Sequence, residues 1–275
     1  MDVLKKYFQD SSLQINSKDS IHTLIRAAIR HSDRTFLPKS FPQDDQAVQN
    51  YIFQLACRHP DGYKLLINPK TSKIDGIFPK ILLLQPMSEG EFTPFMIAVK
   101  YQHTECVRFL LDMIDADDNE ILTKSSVTFE RTVFHICAEF ANTKITDYLL
   151  KKAELCGTNL ALPDIMGKIP LHICAEKNNL YMCEKLLAMA RNSKQTRVAE
   201  VFHYNDKSTD SNELPEMLTI RNNNGLTAFH LATEKKHFDM VKRMIESVSN
   251  PKLLIENRDQ QLRTSLHIAA LKGRF

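Results

Sequence analysis

Thr227-Ala228-Phe229-His230-Leu231-Ala232 and Thr264-Ser265-Leu266-His267-Ile268-Ala269 are two copies of one six-residue pattern. Three more segments align with them without gaps: Thr93-Pro94-Phe95-Met96-Ile97-Ala98, Thr132-Val133-Phe134-His135-Ile136-Cys137 and Ile169-Pro170-Leu171-His172-Ile173-Cys174. Each of the first four copies along the chain is followed, 17 and 18 residues after its first position, by an apolar pair: Leu110/Leu111, Leu149/Leu150, Leu186/Leu187 and Met244/Ile245. The third position is always Phe or Leu, as a core-filling side chain must be. The sixth is always small, as two closely packed antiparallel helices require. Nine and ten residues after each start come turn formers or polar residues: Gln102-His103, Ala141-Asn142, Asn178-Asn179, Lys236-His237 and Gly273-Arg274. Beyond the turn, apolar residues return at helical spacing, as in Val107/Leu110/Leu111 and Val241/Met244/Ile245. The unit is a helix, a short turn and a second helix, with a connecting loop before the next copy.

A pattern of the form T-P-L-H-x-A, recurring at this scale, resembles the ankyrin repeat. The resemblance implies an all-α solenoid of stacked helix-turn-helix units with long inter-repeat loops. It covers residues 89–275, with starts near 93, 132, 169, 227 and 264 and the last copy truncated. Successive starts lie 39, 37, 58 and 37 residues apart, all longer than the family's period of about 33, so every connection carries an insertion. The longest is an inserted loop at about 191–219, in which Asp206-Lys207-Ser208-Thr209-Asp210-Ser211-Asn212 reads as exposed. Glycine is scarce, and only Gly167, Gly225 and Gly273 fall where the family spends it. Met96 replaces the signature His in the first clear copy, and Ile169 replaces Thr in the third. Residues 1–88 form a degenerate N-terminal helical region. There Ile21–His31 and Tyr51–His59 read as apolar helices with the small pairs Ala27/Ala28 and Ala56/Cys57, and the stretch reads as two divergent ankyrin-like repeats.

Composition bounds the function. The chain of 275 residues is 43% hydrophobic and 25% charged, which excludes a disordered tail, a collagen and a disulfide-stapled module. Seven glycines cannot assemble a phosphate-cradling loop. The net charge of +3 comes wholly from residues 1–90, so there is no basic stripe to neutralise a phosphate backbone, and nucleic acid is excluded as a partner. The N-terminus lacks the apolar core of a signal peptide, and the most apolar run, Ile81–Leu84, is far too short to span a bilayer, so no transmembrane segment is expected within the chain. The six cysteines (57, 106, 137, 156, 174 and 183) lack disulfide-framework spacing and read as free thiols in a cytosolic protein, with Cys156 the most exposed.

Four constellations invite a functional reading. His-x-Cys occurs at His135/Cys137 and His172/Cys174, yet residues two apart on a helix point about 200° from each other and cannot converge on one ion. A Cys–His nucleophile needs a depressed thiol pKa and an orienting third group, which buried cysteines at alanine-like positions do not offer. Asp112, Asp115, Asp117, Asp118 and Glu120 form an acidic cluster without the ligand order or glycine of a calcium loop. Lys5-Lys6 and Arg26/Arg30/Arg34 are basic enough to touch anionic lipid, but Arg26 and Arg30 read as the polar side of an amphipathic helix. No catalytic, cofactor-binding or metal-binding residue is assigned, and no cofactor is expected.

The ankyrin resemblance implies binding of protein partners on the concave face and projecting loops, without catalysis. The irregular, glycine-poor repeats and the run from Lys252-Leu253-Leu254-Ile255-Glu256-Asn257-Arg258-Asp259 into Thr264–Ala270 are also similar to the cytosolic N-terminal array of TRP cation channels of the ankyrin subfamily. That likeness implies a fragment of a tetrameric membrane channel, cut one helix into a repeat. A soluble ankyrin adaptor or scaffold is the alternative, and an enzyme with an ankyrin regulatory arm is a third class.

Overall fold

The computed structural model describes residues 92–112, 119–140, 142–192 and 216–273. The proposed repeats of residues 1–88, Cys57, the basic residues between Lys5 and Arg34, Asp115, Asp117, Asp118, Ala141, Arg274 and nearly all of the 191–219 loop lie outside them.

The described residues form two rows of helices. The inner row is α1 (Pro94–Lys100), α4 (Val133–Phe140), α6 (Pro170–Lys177), α8 (Ala228–Glu234) and α11 (Ser265–Leu271). The outer row is α2 (Thr104–Asp112), α5 (Thr143–Leu155), α7 (Leu180–Asn192) and α9 (Phe238–Glu246). Between the rows' units lie the short helices α3 (Glu120–Thr123) and α10 (Pro251–Glu256), and a single 3-10 turn (Glu216–Leu218). Each inner helix packs on the next inner helix, each outer helix on the next outer helix, and the two helices of a unit on each other. No strand occurs among the described residues beyond an isolated bridge of Arg258 with Thr264. The fold is an all-α solenoid.

The six-residue pattern explains why each inner helix starts where it does. Thr93, Thr227 and Thr264 are N-caps in extended conformation, their hydroxyls accepting the backbone N–H three residues on. Proline at the first helical position of α1 and α6 sacrifices only an N–H that would be unpaired anyway. The third-position Phe95, Phe134, Leu171 and Phe229 are buried. So are the small sixth-position residues, and Cys137 reaches Thr146 on its own outer helix, Sγ to Oγ1 at 3.5 Å. The apolar pairs of α2, α5 and α7 close the core from the other side, as does Met244 of α9. Leu266 departs from its column: it is 55% exposed, because no described residue packs over that side of α11.

A histidine staple joins neighbouring units. Nδ1 of His135 accepts the Thr132 N–H at 3.1 Å, and Nε2–H donates to the Lys168 carbonyl of the following unit at 2.8 Å. His172 does the same between Ile169 N–H (3.2 Å) and the Leu226 carbonyl (3.0 Å), and His230 between Thr227 N–H (3.3 Å) and the Asn257 carbonyl (3.0 Å). Because one nitrogen faces a donor and the other a carbonyl, all three rings are neutral and protonated at Nε2. A second strip of bonds runs backward from the helix turns. Asn142 donates to Thr104 Oγ1 (3.2 Å), Asn179 to the Ala138 carbonyl (3.1 Å), and His237 Nδ1 bonds the Ala175 carbonyl (2.8 Å).

Candidate protein-interaction surface

Four hairpin loops, or fingers, lead into α4, α6, α8 and α11. Each is built on a short polar residue at its base. Asp164 donates its N–H to the Lys168 carbonyl (2.8 Å), while Oδ1 accepts the Met166 and Lys168 N–H groups, both at 2.9 Å. Asn222 repeats this with Leu226 and Asn224, and Asp259 with Arg263 and Gln261. Ser126 plays the part in the first finger, bonding Arg131 through N–H (2.8 Å) and Oγ (3.0 Å). Side-chain acceptors of this kind replace the backbone partners that a tight turn lacks. The bases stand five residues ahead of the six-residue pattern in three fingers and six ahead in the first. A constant offset of a short polar residue is the signal that would have found them.

The fingers are stitched together. Ile165 N–H donates to the Phe129 carbonyl and Asn223 N–H to the Met166 carbonyl, both at 3.0 Å, and Gln260 Nε2 donates to the Asn223 carbonyl at 2.8 Å. This close approach explains two glycines. A Cβ on Gly167 would lie 2.4 Å from Asn223 Oδ1, and one on Gly225 would lie 2.6 Å from the Gln260 nitrogen. Both also adopt positive φ, 70° and 72°. The corresponding Glu130 and Leu262, at 54° and 59°, take the same left-handed conformation without glycine's freedom.

The tips divide into two chemistries. Val127, Phe129, Ile165 and Met166, on the first and second fingers, are between 40% and 68% exposed. The third and fourth fingers present Asn223, Asn224, Gln260 and Gln261, with Leu262 as their one large apolar side chain. Charges near the finger bases are mostly neutralised. Arg131 pairs with Glu139 at 3.0 Å and faces the buried Asp164 at 3.5 Å, Lys168 pairs with Glu176 at 2.8 Å, and Arg263 with the buried Asp259 at 2.7 Å. On the inner helices Lys177 pairs with Glu139 (2.7 Å) and Lys272 with Glu234 (3.1 Å).

The family model of ankyrin repeats (three copies) matches residues 95–198 and 189–275, together more than half of the chain. The chain belongs to the ankyrin-repeat family. No curated protein matches it. An ankyrin array is a protein-interaction module, each unit stacking on its neighbours so that one side of the stack forms an extended surface.

The same stack holds the histidines and cysteines of the chemical constellations. His135 and His172 have both ring nitrogens engaged in the staples, and burial pushes each ring down to about 4. Burial pushes the Cys137 and Cys183 thiols up to about 12 and that of Cys174 well above the ordinary value, the opposite of nucleophile activation. Cys156 is half-buried, whereas Cys106, Cys137, Cys174 and Cys183 are buried. Of the acidic cluster, only Asp112 and Glu120 are among the described residues, one at the end of α2 and the other at the start of α3. No group of three metal-ligating side chains occurs among the described residues, and no described helix is long and apolar enough to cross a membrane.

Proposed function

We propose that this ankyrin array holds a protein partner along its fingers and the adjoining inner-helix face, which we take to be the concave side, and performs no chemistry of its own. The observation that carries this is the row of stitched fingers. Exposed apolar side chains stand on loops whose backbones are fixed by hydrogen bonds, so little entropy is lost when a partner covers them. A photo-crosslinking residue placed at Phe129 or Met166 of the full chain should capture partner protein in cell extract, while one at Leu155, exposed at the end of α5, should not. Equal capture at all three positions would overturn the assignment.

The finer reading is that the array is the cytosolic N-terminal arm of a cation channel of the TRP ankyrin subfamily, assembling as a tetramer, with residues 1–88 contributing two divergent repeats ahead of residues 89–275. Its support is the likeness of the run from Lys252 to Ala270 and the glycine-poor, long-looped repeats. The sequence of the full transcript tests it. Six membrane helices following codon 275 would establish the channel. A death domain, a SOCS box or a stop would instead make this a soluble adaptor.

A further inference from the structure

We propose that the four fingers take an extended, acidic segment of about eight residues, its apolar end lying over the first two fingers and its carboxylates over the last two. This rests on the reading that the fingers hold a protein partner, and names the chemistry of that partner.

The charge pattern along the finger row carries the proposal. Arg221 and Arg258 precede the base residues Asn222 and Asp259 and so occupy the same register position in the third and fourth fingers. Both are exposed, and neither has a carboxylate partner among the described residues. Arg221 donates to Asn257 Oδ1 at 2.8 Å, which sets its guanidinium against the residue preceding Arg258. The other finger cations, Arg131, Lys168 and Arg263, are already spent on Glu139, Glu176 and Asp259. The carboxylates of Asp164 and Asp259 are buried, so the third and fourth fingers present no exposed acid and two exposed guanidinium groups without an ion-pair partner among the described residues. Guanidinium groups of this kind favour carboxylates through paired N–H donors.

The remaining tip residues suit the same occupant. Asn223, Asn224, Gln260 and Gln261 are exposed. Asn223 Nδ2, Gln260 Nε2 and Gln261 Oε1 each hold one bond within the finger row, to the Ile165 carbonyl, the Asn223 carbonyl and the Arg263 guanidinium. The amides' remaining donor and acceptor positions suit an extended backbone whatever its sequence. Val127, Phe129, Ile165 and Met166 supply apolar contact for two or three anchoring side chains at the opposite end. Helices in a stack repeat every 8–10 Å or so, so four fingers span roughly 25–30 Å. An extended chain covers that length in about eight residues.

The test uses the full chain and two fluorescein-labelled decapeptides, one with two leucines at its N-terminal end and three glutamates at its C-terminal end, the other in the reverse order. Fluorescence anisotropy should show one of the two binding about tenfold more tightly than its counterpart with lysines for glutamates, with affinity falling as salt rises. Arg221→Glu together with Arg258→Glu should cost about tenfold, and Ile165→Asp a similar factor, with helical circular dichroism unchanged in each. Arg258→Gln alone serves as the milder variant and should cost about threefold. If neither peptide binds at millimolar concentration, or the lysine peptides bind equally well, the acidic partner is wrong. Crosslinking at Phe129 that survives the double arginine variant would overturn the acidic class while leaving the fingers as the binding surface. Loss of crosslinking in wild type would remove both.

Discussion

The junction between the first and second units and the junctions that follow it are built differently. Where His135, His172 and His230 reach across to a carbonyl of the next unit, the first junction has Met96, fully buried and without a polar atom to offer. That junction relies on apolar packing of α1 on α4, on the Asn142–Thr104 bond, and on Lys100, whose ammonium lies 4.7 Å from the ring centre of Phe92 and 5.8 Å from that of Phe140. A stapled junction is exact about geometry, since a staple bond lost in the interior leaves a buried donor or acceptor unpaired. A packed junction is tolerant, because neighbouring side chains can shift to refill space. In a stack whose stability is a sum over neighbouring interfaces, the two kinds of joint should fail under different stresses.

Acid should separate them most. His135 and His172 are held near 4 in the folded chain by burial, against an ordinary value of 6.5. A histidine depressed in this way stabilises the fold fully above its unfolded value. That stability drains away as pH falls from about 6.5 towards 4, because only the unfolded chain takes up the proton. The whole window is worth on the order of 3 kcal/mol per ring. Protection factors, taken against the intrinsic exchange rate at each pH, should therefore fall in α4, α6 and α8 between pH 6.5 and 4 well before they do in α1. A uniform fall in protection would mean that the staples do not control the central joints.

Substitution by leucine sharpens the contrast at fixed pH. His172→Leu strands the Ile169 N–H and the Leu226 carbonyl, and should cost about 2–4 kcal/mol. Met96→Leu keeps volume and apolarity and should cost less than about 1.5 kcal/mol. Urea midpoints at constant m-value measure both, and similar losses would erase the distinction between the two joints.

The fingers offer a smaller comparison of the same kind. Gly225→Ala brings a Cβ against Gln260 at a φ of 72° and should destabilise by about 2 kcal/mol. Leu262→Gly relieves the left-handed strain at the matching position of the last finger and should stabilise by about 0.5–1 kcal/mol, read as a small rise in Tm. A fall in Tm would show that Leu262's exposed side chain contributes more than its backbone strain costs.

The inner helices and the small-residue column are legible in the sequence because each rests on a side chain whose type announces its role. The joints are less so. His135, His172 and His230 share a column in the sequence, but their acceptors lie 33, 54 and 27 residues away and are main-chain carbonyls, which carry no residue signature. The left-handed turn residues Gln102 and Lys236 were equally silent, since neither type advertises positive φ as glycine or asparagine does. In the sequence the finger surface reads only as loops. Its division into an apolar half and an amide-and-arginine half depends on which side chains the base hydrogen bonds turn outward, a three-dimensional property that residue type does not carry.

The staples accept on Lys168, Leu226 and Asn257, a cation, a hydrocarbon and an amide that share nothing but a peptide group. A coupling that reads only the peptide group places no demand on the side chain beside it. Loops on the receiving side are thereby free to change sequence, and even length, as the 58-residue spacing between the third and fourth units shows. Specificity can then drift from unit to unit while the stacking rule stays the same, much as a standard thread lets different fittings be screwed onto one pipe.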